Sequence, residues 1–126
     1  MNRLFCLIGF AATFAAAQHK IEIIEEGTGE DMPVFDAWVW THFTGTLEDG
    51  TEFDSSHKRK KPYKFNLGKG RALKCFDEAF KELKMGAKAK VTCPPEMGYG
   101  KKASKKVPAD STLIFEVELI DFYNPG

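Results

Sequence analysis

Groups able to carry covalent or metal chemistry are few in this sequence and poorly spaced for it. The three histidines, His19, His42 and His57, are isolated from one another in type and spacing, so no metal site is expected. No Ser-His-Asp set, nucleotide-cradling glycine loop or C-x-x-C motif stands in the chain. Aromatic residues, in contrast, make up 13% of the 126 residues, and eleven of them are phenylalanine. The sequence therefore supports none of these chemistries, and the spacing of its aromatic residues is its more telling feature.

The elements that would position them follow from hydrophobic period. Ile21 and Ile23 alternate with polar residues as an opening strand, which Gly27 to Asp31 interrupts. From Ala37 to Thr46 the alternation returns, with Val39, Thr41 and Phe43 on one face and Trp38, Trp40 and His42 on the other. Asp49-Gly50 is a turn signal before the short strand around Phe53. Tyr63, Phe65 and Leu67 share one side of a further strand. Only Leu73 to Leu83 has a helical period, with Leu73, Phe76, Phe80 and Leu83 in one stripe and Gly86 as its stop. Ala87 to Cys93 alternates again, a Pro- and Gly-rich loop runs from Pro94 to Asp110, and Leu113, Phe115, Val117 and Leu119 face one way in the last strand. Five or six antiparallel strands around one helix make an α+β domain.

The ends of the chain speak to compartment. Arg3, an apolar run from Leu4 to Phe14 and the small residues Ala15 to Ala17 have the order of a secretory signal peptide, too short to span a bilayer. The expected division is a signal at residues 1–17 and one domain at 18–126, located in the endoplasmic reticulum lumen or secreted, since no KDEL-like signal ends the chain. No membrane attachment is expected after cleavage. With 18 basic and 18 acidic residues, no global field argues for nucleic acid. The run His57-Lys58-Arg59-Lys60-Lys61 reads as a solvated loop in place of a nucleic-acid tract. Cys75 and Cys93 remain in the mature domain, and the residues favour two unpaired side chains, with Cys93 a small apolar core residue, over a disulfide. A monomer is expected.

The run from His42 to Ser56, His-Phe-Thr-Gly-Thr-Leu-Glu-Asp-Gly-Thr-Glu-Phe-Asp-Ser-Ser, resembles a signature of the FK506-binding protein (FKBP) family. Pro62 to Gly68, Gly98-Tyr99-Gly100 and Val107 to Phe115 match further segments of that family in order, so the resemblance covers about Lys20 to Phe122. It implies a strongly twisted half-barrel of five or six antiparallel strands wrapped around one short helix. It also implies a peptidyl-prolyl cis/trans isomerase that needs no cofactor, with proline-containing polypeptides as substrates and FK506- or rapamycin-type macrolides as ligands. Carried over by position, the pocket wall is Phe43, Phe53, Tyr63, Phe76 and Phe115. Ala72 and Leu73 line its edge, with the Leu73 N–H aimed at a substrate carbonyl, and Val107 closes another side. Tyr99 supplies a hydroxyl and Asp54 a carboxylate at the rim, where it is expected to pair with Arg59. The expected catalytic set is Asp54, Tyr99, Phe43 and Phe115. The expected substrate-binding set is Phe53, Tyr63, Ala72, Leu73, Phe76 and Val107.

The sequence also departs from the family. Phe76 stands where well-known members have tryptophan, and Phe43 where they have tyrosine. A looser pocket floor and weaker macrolide affinity are the expected consequences. Lys101, Lys102, Ser104, Lys105 and Lys106 replace the usual Gly, His and Pro residues of the Tyr99 loop. These lysines read as a solvated rim, whose functional counterpart is a preference for substrates with acidic flanks. Because of these departures, a module that binds proline peptides or macrolides without turnover is the rival to the enzyme, and a secreted effector is the third reading. Phe65, Phe80, Leu83, Val91 and Val117 are assigned to the core.

Overall fold

The computed structural model describes residues 19–125; the expected signal segment lies outside them. Six strands form one antiparallel sheet: β1 (Lys20–Glu25), β2 (Trp38–Leu47), β3 (Glu52–Ser55), β4 (Tyr63–Asn66), β5 (Lys88–Cys93) and β6 (Leu113–Tyr123). Their order is β1-β5-β6-β2-β3, and β4 also pairs with β2. One short helix, α1 (Lys74–Ala79), packs on the sheet. This is the α+β domain that the alternating pattern implies and the half-barrel that the resemblance implies.

Strand β2 is the organising element because three strands pair with it. Its inward residues Val39, Thr41 and Phe43 are buried, and Leu113, Phe115, Val117 and Leu119 of β6 are buried on the same side. Phe65, Phe80, Leu83, Val91 and Val117 all belong to the core. Thr41, the polar member of the inward row, donates its hydroxyl to the Glu118 carbonyl at 2.8 Å, so its burial leaves no unmet donor. On the opposite face the Lys64 ammonium lies 4.6 Å from the Trp38 ring and 5.2 Å from that of Trp40, which gives both indoles a cationic cover.

Two expectations are corrected. The helix ends at Ala79 and passes into a 3₁₀ turn at Phe80–Glu82, well short of Gly86. Leu83 turns to extended geometry, φ −109° and ψ 143°, and is fully buried in that conformation; the 3-4-3 spacing of the stripe is satisfied by a helix, a tight turn and an extended residue together. Second, Cys75 and Cys93 form a disulfide, with Cα atoms 5.8 Å apart, joining α1 to the end of β5. Sequence spacing gives no hint of this pairing, since it depends on how the helix lies on the sheet.

The candidate aromatic pocket

Phe43, Asp54, Tyr63, Ala72, Leu73, Phe76, Tyr99 and Phe115 converge on one cavity of about 150 Å³, together with Arg59. The rings hold one another in place. Phe115 stands edge-on to Phe76 at 4.9 Å and to Phe43 at 5.9 Å, and Phe43 meets Phe76 at 5.6 Å and Tyr63 at 5.7 Å. Edge-to-face packing at such distances adds to the burial of each ring. Phe76 also contacts Phe65 and Phe80, so the floor is fixed by the core beneath it and is only 3% exposed. The rings of Phe65, Phe80 and Phe115 thus surround the phenylalanine floor.

Phe53 packs against Phe115 at 5.7 Å and Tyr99 at 6.4 Å, and both Phe53 and Val107 line an adjoining cavity. Asp54 and Tyr99 border both spaces, so they divide one continuous depression into two.

Three local devices aim the polar groups. The Leu73 backbone caps α1 in extended geometry (φ −61°, ψ 149°), and its N–H makes no hydrogen bond among the described residues, which leaves a donor free at the pocket edge. Asp77 in the first turn accepts from the Gly68 and Gly70 N–H groups at 2.8 and 3.2 Å, tying the preceding loop to the helix start. Buried Ser56 accepts the Phe43 N–H at 2.9 Å and donates its own N–H to the Phe43 carbonyl at 3.0 Å. That clamp brings the loop after β3 over the pocket. There Arg59 Nη1 donates to Asp54 Oδ1 at 2.7 Å, as expected, and the guanidinium sits 5.8 Å from the Phe43 ring. Both partners are partly exposed, so the pair orients more than it stabilises.

Burial above all, and then the neighbouring Tyr99, raises the Tyr63 hydroxyl above its ordinary pKa. Burial and, second, the Asp54 carboxylate do the same to Tyr99. Both hydroxyls are thus neutral donors across the physiological range. His42 and His57, distant in sequence, stack at 4.3 Å outside this pocket, and no third potential ligand joins them among the described residues. Ser56 and Gly45 are site-building residues that carried no role in the sequence. Gly45 lies opposite Phe115 and Asp54 in the sheet, and its importance is a missing side chain, which has no pattern of its own.

A family model described as FKBP-type peptidyl-prolyl cis-trans isomerase matches residues 29–120. Peptidyl-prolyl cis-trans isomerase FKBP4 of Homo sapiens is 48% identical over 101 residues, which are 79% of this chain and 22% of that protein. Peptidyl-prolyl cis-trans isomerase Fkbp12 of Drosophila melanogaster is 45% identical over 98 residues, 77% of this chain and 91% of that protein. FK506-binding protein 1 of Dictyostelium discoideum is 46% identical over 104 residues, 82% of this chain and 96% of that protein. The match therefore spans under a quarter of FKBP4 and nearly all of the two shorter relatives.

Proposed function

The chain belongs to the FKBP-type peptidyl-prolyl cis-trans isomerase family, and from that premise we propose that it accelerates rotation about X-Pro bonds of secretory-pathway polypeptides. The observation that carries this reading is an aromatic cavity with unspent hydrogen-bond donors at its edges. An X-Pro bond resists rotation by about 18–20 kcal/mol through amide resonance, and no bond breaks when it turns. The planar amide loses charge separation as it twists. A pocket walled by Phe43, Phe76 and Phe115 therefore disfavours the planar state more than the twisted one. The proline ring seats on Phe76, the Leu73 N–H and the Tyr99 hydroxyl hold flanking carbonyls, and the Asp54–Arg59 pair fixes the mouth.

The location is part of the same proposal. The order of residues 1–17 supports entry into the secretory pathway, and the fully buried Cys75–Cys93 bridge suits an oxidising compartment. Fractionating lumen from medium separates a resident folding enzyme from an exported one.

The test is cis-to-trans conversion of a short X-Pro peptide by protein beginning at Gln18, with and without FK506. Acceleration abolished by the drug supports catalysis in the aromatic pocket. No acceleration by folded protein would leave a binding module as the better account. Trp in place of Phe76 supplies a larger ring for the macrolide, so Phe76→Trp is expected to tighten FK506 binding more than it changes turnover, which titration and the peptide assay check together.

The tyrosines give a pH dependence. A hydroxyl whose pKa lies above its ordinary value of about 10 keeps its proton, and so its donor role, to higher pH. kcat/KM is expected to stay flat from pH 7 to about pH 9.5 and to fall only above the ordinary tyrosine range. Tyr99→Phe should lower the plateau about 3- to 10-fold, as loss of one neutral hydrogen bond does. A decline centred below pH 9 that Tyr99→Phe removes would contradict this.

A further inference from the structure

Beside the aromatic pocket lies a larger cavity of about 600 Å³, and the two share Asp54 and Tyr99 as a common border. Its floor is apolar, from Phe53 and Val107, and its outer wall is Lys102, Lys105 and Lys106 with Ser104 between them. None of these lysines takes part in an ion pair among the described residues. The carboxylate bordering the cavity, Asp54, is already matched by Arg59 at 2.7 Å. The wall is also braced. Ser104 donates its N–H to the Val107 carbonyl at 2.8 Å, the Val107 N–H returns to Ser104 Oγ at 3.2 Å, and the Asp110 N–H reaches the Gly100 carbonyl at 2.8 Å. The chain as a whole has no net charge, so this concentration of cations is local to the groove.

We propose that this groove is a specificity subsite for Asp and Glu side chains flanking the proline that sits in the neighbouring pocket. The inference rests on the isomerase reading for its substrate, and it adds which X-Pro sequences are preferred. An extended chain advances about 3.3–3.6 Å per residue, so a polypeptide leaving the aromatic pocket past Tyr99 brings its next few side chains between the lysines. The apolar floor takes the stems of those side chains while the ammonium groups take their carboxylates.

The test uses protein beginning at Gln18 and two peptides with one X-Pro core, flanked by two Glu or by two Gln residues. Amide spectra titrated with each peptide read affinity and location without depending on turnover. In low salt the Glu peptide is expected to bind about tenfold more tightly, with the difference largely lost at 0.5 M salt, where exposed charges are screened within about 4 Å. The largest shifts should fall at residues 102–107. The combined variant Lys102→Ala, Lys105→Ala, Lys106→Ala should abolish the difference, and Lys105→Glu with Lys106→Glu should reverse it. Equal affinity of the native chain for the two peptides, binding of neither, or a Glu preference that survives charge reversal would overturn the subsite. Isomerase activity on the Gln peptide is scored separately. Its absence alongside a Glu preference would remove the enzyme and keep the groove, whereas activity with no preference would remove the groove and keep the enzyme.

Discussion

A single methyl group placed on Gly45 is expected to lower kcat/KM for X-Pro peptides at least tenfold. Gly45 sits in β2 directly opposite Phe115 and Asp54. A Cβ there would stand 2.7 Å from Phe53 Cζ and 2.8 Å from Phe115 Cε1, closer than carbon atoms tolerate. Its backbone is outside the left-handed region, so alanine brings no conformational strain and the whole effect is steric. Phe115 packs edge-on against Phe76 and Phe43, and Phe53 against Phe115 and Tyr99, so displacing either ring disturbs the pocket wall. Overpacking of this kind costs about 1–3 kcal/mol of stability. A tenfold rate loss corresponds to about 1.4 kcal/mol of transition-state stabilisation. Urea unfolding and the peptide assay on the same Gly45→Ala preparation check both. Adding Phe53→Leu, which removes the atom nearest the new methyl, should restore part of the stability through coupling of adjacent sites. Unchanged activity and stability in Gly45→Ala would show that the pocket walls yield, and that their positions do not set the rate.

That result would also mark a boundary in what the sequence makes legible. Period-2 alternation assigned the inward faces of β2 and β6 correctly, because a half-buried strand writes its environment at every second residue. Pocket residues could be carried over by position since the motif preserves their order along the strands. Alternation cannot say whether a strand lies at an edge: Ile21 of β1 packs on the core, whereas Ile23, two residues on, is 40% exposed. The apolar stripe from Leu73 to Leu83 fixed which residues are buried but not the backbone that buries them. That Phe53 and Val107 line the part of the depression beyond Tyr99 and Asp54 is set by the packed rings and has no pattern in the sequence. Gly45 and Ser56 act through space left empty and through a clamp across the β3 loop, and neither has a period.

Severing the Cys75–Cys93 bridge is expected to cost about 3 kcal/mol, the chain-entropy value for a closed loop of this size, given the sequence separation of 18. Both cysteines are fully buried, Cys75 next to the pocket floor residue Phe76 and Cys93 at the end of the strand that leads to Tyr99. The bridge therefore links the element carrying the Leu73 and Phe76 side of the pocket to the one carrying the Tyr99 side. Its loss should lower the melting temperature on the order of 10 °C. It should also raise KM more than it lowers kcat, since the two donors then hold a substrate less firmly. Thermal unfolding with and without dithiothreitol, for the native chain and for Cys75→Ala with Cys93→Ala, reads the effect. The reduced native chain and the double variant should melt together, and the variant should ignore the reductant. Two titratable thiols in unreduced, unfolded protein would overturn the pairing and remove one support for an oxidising compartment. A bridged protein whose melting temperature is indifferent to reduction would instead mean that the contacts of α1 with β5 hold the pocket's two sides together unaided, and that the covalent link adds nothing to them.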